Sequence, residues 1–210
     1  LYYMAENLSA RTVEFTNNLQ LLTGRADAQI EVEASIQRLF FYAAWSDKFD
    51  GSARSVPLKA IALVMNEAIG NCGVICDDRY PLLGFISAMA PLFATGNRSI
   101  IIPSEPFSPI VTDFYQVLDT SDVPPGTVNI LTGRHTDLAL ELASHMDIES
   151  VWSFSTSDVS RDIEKASVSN LKRTWVSNGE KRDWYNEESQ GIQFLTNSIE
   201  NKTIWIPYGE

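Results

Sequence analysis

The chain has 210 residues, 44% of them hydrophobic and 20% charged, with a formal net charge of −11. That composition supports a sizeable buried core and excludes global disorder, and the negative balance argues against unspecific binding to nucleic acid, whose phosphates require a Lys/Arg surface. No apolar run is long enough for a membrane span and no secretory signal is visible. Two cysteines, Cys72 and Cys76, lie in one apolar run with no nearby His or further Cys to complete a zinc set. They read as buried reduced thiols, and a cytoplasmic protein is expected. Leu1 opens the chain inside an amphipathic pattern, as expected for a piece of a longer polypeptide.

In chain order, Leu1, Met4, Leu8, Val13, Phe15, Leu19 and Leu22 recur at helical spacing, and Thr23-Gly24 supplies a C-terminal cap. A second helix is predicted over 27–49, with Ile30, Ala34, Ile36, Leu39, Phe40, Ala43 and Ala44 on its inner face and the turn Asp50-Gly51-Ser52 after it. Residues 57–69 read as an extended crossover. A buried strand follows in 69–76, and then a helix over 81–94 that is apolar on most sides. Strands are predicted at 99–102, 128–131, 151–154 and 172–176, separated by helices at 109–118, 137–144 and 160–168. This alternation implies an α/β fold with a doubly wound, mostly parallel sheet. A short helix over 190–199 and a strand over 203–207 close the chain, the strand pairing either at an edge of this sheet or with a partner's sheet.

Local motifs license little chemistry. There is no G-x-G-x-x-G turn and no Walker sequence. His135 falls in a loop and His145 at a helix end, both expected at the surface. Cys76 sits at the carboxyl end of a strand, where open α/β sheets bind ligands. The acids Asp77 and Asp78 beside it would raise its pKa and disfavour a nucleophile. Asp77-Asp78 reads as a hydrated surface rather than a metal site, and 180–183 as a solvated loop flanked by the packing residues Trp175 and Trp184.

The order of Tyr80-Pro81-Leu82-Leu83, the turn Ala94-Thr95-Gly96-Asn97, Pro103-Ser104-Glu105 and the string Pro124-Pro125-Gly126-Thr127-Val128-Asn129-Ile130-Leu131-Thr132-Gly133 resembles the nucleotide-binding domain of aldehyde dehydrogenases. Phe154-Ser155-Thr156-Ser157 falls where that family has Phe-Thr-Gly-Ser, and Asn178-Gly179-Glu180-Lys181 near its Glu-Leu-Gly-Gly-Lys. The resemblance covers about residues 28–182. It implies a Rossmann-like domain over 27–184, preceded by an N-terminal helix and linker over 1–26 and followed by a C-terminal helix and strand over 185–210.

The departures carry the functional expectation. Where the resemblance implies an oxyanion-holding Asn the chain has Arg79, and where it implies a ribose-binding Lys it has Ile102. The Gly of the phosphate loop is Thr156, the general-base Glu is Ser177, and no Cys follows Cys76 to serve as the nucleophile. Glu105 and Ser157 are the cofactor-contacting positions retained. Residues 39–51, 115–124, 170–176 and 202–210 further resemble the C-terminal, nucleophile-free module of aldehyde dehydrogenase family 16. The expectation is therefore a structural or oligomerisation module with no catalytic residues and no cofactor of its own. Its partners would be an upstream catalytic module of the same polypeptide and a second copy in a homodimer. NAD or NADP would serve the parent reaction, the oxidation of an aldehyde to a carboxylic acid. The alternative is a module that still binds a dinucleotide or small molecule through Glu105, Ser157 and the Thr132-Gly133 loop.

Overall fold

The structure is a computed structural model and describes residues 1–208. Gly209 and Glu210, which end the closing stretch of resemblance, lie outside the described residues. The N-terminal apolar pattern forms two helices, α1 (Tyr2–Ala10) and α2 (Thr12–Thr23), rather than one. The break is at Arg11, whose N–H turns back to the Leu8 carbonyl and whose guanidinium holds Glu14 and Gln116. Met4, Leu8, Phe15 and Leu19 are buried, whereas Val13 faces solvent. Gly24, at φ 69°, stops α2 in the left-handed region that an L side chain resists.

Helix α3 (Ala28–Trp45) ends one turn short of the expected boundary, and its inner face differs from the expected one. Ile30 is exposed, while Glu31, Ser35, Arg38 and Tyr42 are buried together with Val32 and Leu39. These four polar residues recur at i, i+4, i+7 and i+11, so a polar stripe runs down the buried side of the helix.

The chain then forms β1 (Ser52–Ser55) and β2 (Ala60–Ala68), an antiparallel pair where a turn and a crossover are expected from sequence. The segment up to residue 198 bears out the alternating pattern. It runs β3 (Asn71–Ile75), α4 (Pro81–Ala94), β4 (Arg98–Ile102), α5 (Pro109–Thr112), α6 (Tyr115–Thr120), β5 (Val128–Ile130), α7 (His135–Ser144), β6 (Ser150–Ser153), α8 (Ser157–Ser167), β7 (Arg173–Val176) and α9 (Ile192–Asn197). The single helix expected over 109–118 is two short ones, because Phe114 turns into the core between them and meets Phe15 and Phe85 edge-on. Helix α8 starts three residues earlier than expected because the Thr156 hydroxyl accepts the Val159 N–H and caps it.

The five strands lie in the order β5-β4-β3-β6-β7, all parallel. Side chains alternate between its two faces, as a strand dictates. Cys72, Val74, Trp152 and Phe154 enter a core shared with α1 to α4 and α9. Ile75, Ile102 and Val151 enter a second layer with Ala139 and Leu142 of α7 and Val159 and Ile163 of α8. Helices therefore cover both faces, which makes the sheet doubly wound. The last strand, β8 (Ile199–Pro207), does not join this sheet's edge. It pairs antiparallel with β2 over nine residues and forms a separate sheet of order β1-β2-β8. Its partner, β2, is missed as a strand in the sequence, which removes the pairing from view.

Candidate functional site

The carboxyl ends of the five parallel strands β3 to β7 converge where open α/β sheets place ligands. Five loops meet there: 76–80, 103–108, 131–134, 154–156 and 177–191. A cleft of about 400 Å³ opens beside β6 and β7, bordered by Phe154, Trp175, Ser177, Asn178, Arg182 and Glu188.

Both cysteines are fully buried in the core. Burial pushes the Cys72 thiol up to about 12. Burial, reinforced by Asp77 and Asp78, pushes the Cys76 thiol well above the usual thiol range. Neither presents a thiolate to the cleft.

Of the two acids after β3, Asp78 is exposed as expected and Asp77 is not. Asp77 is buried, where its carboxylate accepts the Trp184 indole N–H at 3.1 Å and the Arg79 N–H at 2.7 Å. Asp78 accepts the Glu105 N–H at 2.9 Å. Among the described residues no cluster of His, Cys, Asp and Glu could hold a metal ion. The Arg79 guanidinium donates to the Arg182 carbonyl and lies 3.8 Å from Asp77.

The other substituted positions also hold the chain. Ile102 is fully buried in the α7/α8 layer. Thr156 caps α8. The Ser177 hydroxyl donates to the Ser155 carbonyl at 3.4 Å. Of the two retained positions, Glu105 is exposed and its carboxylate accepts the His135 N–H at the start of α7, at 2.9 Å. Ser157 is the exposed first residue of α8. Gly179 approaches its backbone so closely that a Cβ there would lie 2.9 Å from the Ser157 nitrogen.

His135 is not at the surface. It is 4% exposed, with Nε2 2.8 Å from the Pro103 carbonyl and Nδ1 3.0 Å from the Ser155 hydroxyl. Local sequence offers no signal for this, because Ser155 lies twenty residues on and reaches His135 only through the β5-to-β6 topology. His145, at the end of α7, is exposed as expected and accepts the Asp147 N–H.

The 180–183 run is an exposed loop as expected at Glu180, Lys181 and Asp183, but Arg182 is half-buried. The Arg182 guanidinium lies 5.5–5.8 Å from the ring centres of Phe154, Trp175, Trp184 and Phe194. Burial pulls its pKa down from the usual guanidinium value. Trp184 itself is fully buried against Gly84 of α4. Arg38 of α3 fastens the same segment, donating to the Trp184 and Ser189 carbonyls at 2.8 and 2.5 Å and to the Ser87 hydroxyl.

Comparison with known proteins agrees with this geometry. The model of the aldehyde dehydrogenase family matches residues 1–185. Omega-crystallin of Enteroctopus dofleini is 30% identical over 177 residues, which are 82% of this chain and 36% of that protein. Retinal dehydrogenase 2 of Mus musculus is 32% identical over 153 residues, 72% of this chain and 30% of that protein. The chain thus spans about a third of the length of the curated relatives it matches. Among solved structures, PnpE from Pseudomonas sp. WBC-3 superposes with a TM-score of 0.80 at 25% identity, covering 83% of this chain and 37% of that one. PnpE has also been solved in complex with nicotinamide adenine dinucleotide, and that structure superposes with a TM-score of 0.79 at 26% identity.

Proposed function

The chain belongs to the aldehyde dehydrogenase family, and from that premise we propose that it is a non-catalytic module of a longer polypeptide, of the kind that closes aldehyde dehydrogenase family 16. One observation carries this reading. At the ligand end of the sheet, the positions where the family resemblance calls for chemistry are occupied by groups that fasten the chain. Thr156 caps a helix, Ser177 bonds a backbone carbonyl, Ile102 is core, and Arg79 holds the Arg182 carbonyl.

The residues present fit a dinucleotide poorly. Ile102 offers a ribose no donor, and the Glu105 carboxylate already accepts the His135 N–H. Thr156 adds a side chain where the resemblance implies bare backbone for phosphate to approach. Calorimetry of this chain with NAD, NADP and adenine nucleotides is expected to give no heat at millimolar ligand. Measurable binding there would favour the alternative of a retained nucleotide pocket. Dehydrogenase assay of the chain alone is expected to give no NAD-dependent turnover of aldehydes, and turnover would refute the proposal.

We assign the proposed structural role to the three-stranded sheet. Register pairs Ile61 with Ile206, Leu63 with Ile204 and Met65 with Lys202, so one face carries a mostly apolar stripe that is 37% exposed at Ile61 and Ile204. Strand β8 also leaves one edge unpaired among the described residues. The proposed occupants are the upstream catalytic module and a second copy of the chain. A Gly-Gln-x-Cys segment encoded upstream of Leu1 would support the two-module reading. Sedimentation of the chain before and after Ile206→Lys tests the second copy, with a shift from dimer to monomer expected.

A further inference from the structure

We propose that Ser155 is an acylatable nucleophile with His135 as its general base, a site for small activated carboxylic esters that is independent of any aldehyde chemistry. The argument begins with the imidazole. Its Nε2 lies 2.8 Å from the Pro103 carbonyl oxygen, which can only accept. In the neutral ring the proton therefore sits on Nε2, and Nδ1 is left with its lone pair. That lone pair faces the Ser155 hydroxyl at 3.0 Å, so the hydroxyl donates to it. A serine hydroxyl directed at an imidazole whose tautomer is set by a third group is the arrangement that makes serine nucleophilic.

The ring is held from its own backbone as well, because the His135 N–H donates to the Glu105 carboxylate at 2.9 Å. The ring is 4% exposed, whereas Ser155 is half-buried at the carboxyl end of the sheet, where a ligand can approach it. Two residues on, Ser157 and Asp158 open α8; the Thr156 hydroxyl takes the Val159 N–H, and the N–H groups of Ser157 and Asp158 have no intrahelical acceptor. A carbonyl oxygen gaining negative charge beside Ser155 would meet the positive end of that eleven-residue helix.

The step balances without a redox partner. The Ser155 oxygen bonds to the ester carbonyl carbon and its proton passes to His135 Nδ1. The C–O bond to the leaving alcohol breaks, and that alcohol takes the proton from His135. Water then attacks the acyl-serine by the same route, releasing the carboxylic acid and restoring Ser155.

The test uses the full chain with 4-nitrophenyl acetate, following 4-nitrophenolate release and mapping acetylated peptides by mass spectrometry. A burst of nitrophenolate with one acetyl group on Ser155 is expected. Ser155→Ala should remove that label, and His135→Gln should slow its formation by about 100-fold or more. Acetyl groups confined to lysines and the N-terminus of the wild-type chain would overturn the proposal without recourse to any variant. So would unchanged acetylation of Ser155 in folded His135→Gln. Neither outcome bears on the dehydrogenase assay, which reads NAD reduction.

Discussion

The two sheets of this molecule use the same kinds of residue to opposite ends. In the parallel sheet, all four residues of β6 and four of the five in β3 are buried, and helices cover both faces. In the antiparallel sheet, eight of the nine residues of β8 are exposed, although Ile204, Trp205 and Ile206 would suit a core. The first sheet is covered on both faces and draws its stability from burial. The second spends its apolar residues on a surface, the face to which the proposed function assigns a partner.

The comparison predicts a graded response to substitution. Trp184→Ala, at a fully buried ring packed on Phe154 and Gly84, should cost about 3–5 kcal/mol in urea unfolding. Glu31→Ala comes next. Its carboxylate accepts the Leu82 and Leu83 N–H groups that open α4, at 2.9 and 3.1 Å, and pairs with Arg25 at 2.7 Å. Removing it strands two buried donors and should cost about 3 kcal/mol. Arg38→Ala should cost roughly 2 kcal/mol, since the Trp184 and Ser189 carbonyls lose their donor. A sharper readout than unfolding is proteolysis, which should nick 182–191 in that variant first. Trp205→Ser in β8, 53% exposed, should change the unfolding midpoint of the isolated chain by well under ~1 kcal/mol. If it destabilised as much as Trp184→Ala, the contrast between the two sheets would collapse.

Thiol reactivity sharpens the same contrast without mutation. Burial raises both thiol pKa values, so the thiolate fraction at mildly alkaline pH is small and the sulfurs are out of reach. Iodoacetamide should leave Cys72 and Cys76 unmodified in the native chain and alkylate both in denaturant.

How far the sequence could be read depended on where the relevant contacts lie along it. Helix α4 is legible to the residue, because Pro81 sits at its first turn and Gly96-Asn97 follows its end. The parallel strands are legible because short apolar runs stand between turn residues. Gly126, at φ 81°, marks the turn before β5 in the same way. Strand β2 is missed because its buried side is Ala60, Ala62 and Val64, too small to mark an alternation. The buried Glu31 and Arg38 are missed because charged residues are expected in solvent. Apart from Arg25, their acceptors and donors lie 49 to 151 residues away, on α4 and the closing segment.

The candidate site divides along the same line. That no cysteine follows Cys76 and that position 177 carries no carboxylate follows from residue identity alone. The use made of the residues in their place, as with Thr156 capping α8 or Asp77 receiving Trp184, belongs to the folded chain. Asn97 shows why. It is one buried side chain in a turn, yet it accepts the Gly70 N–H at 2.9 Å and donates to the Ser198 carbonyl at 2.7 Å. By itself the sequence determined the family pattern, the alternation of strands and helices and the lack of a cysteine after Cys76, since these rest on local spacing and residue type. Only the tertiary structure decided the separate sheet, the polar stripe of α3 and the meeting of His135 with Ser155. Each joins groups distant along the chain, and hydrogen bonds reward them only once the sheet has brought them within about 3 Å.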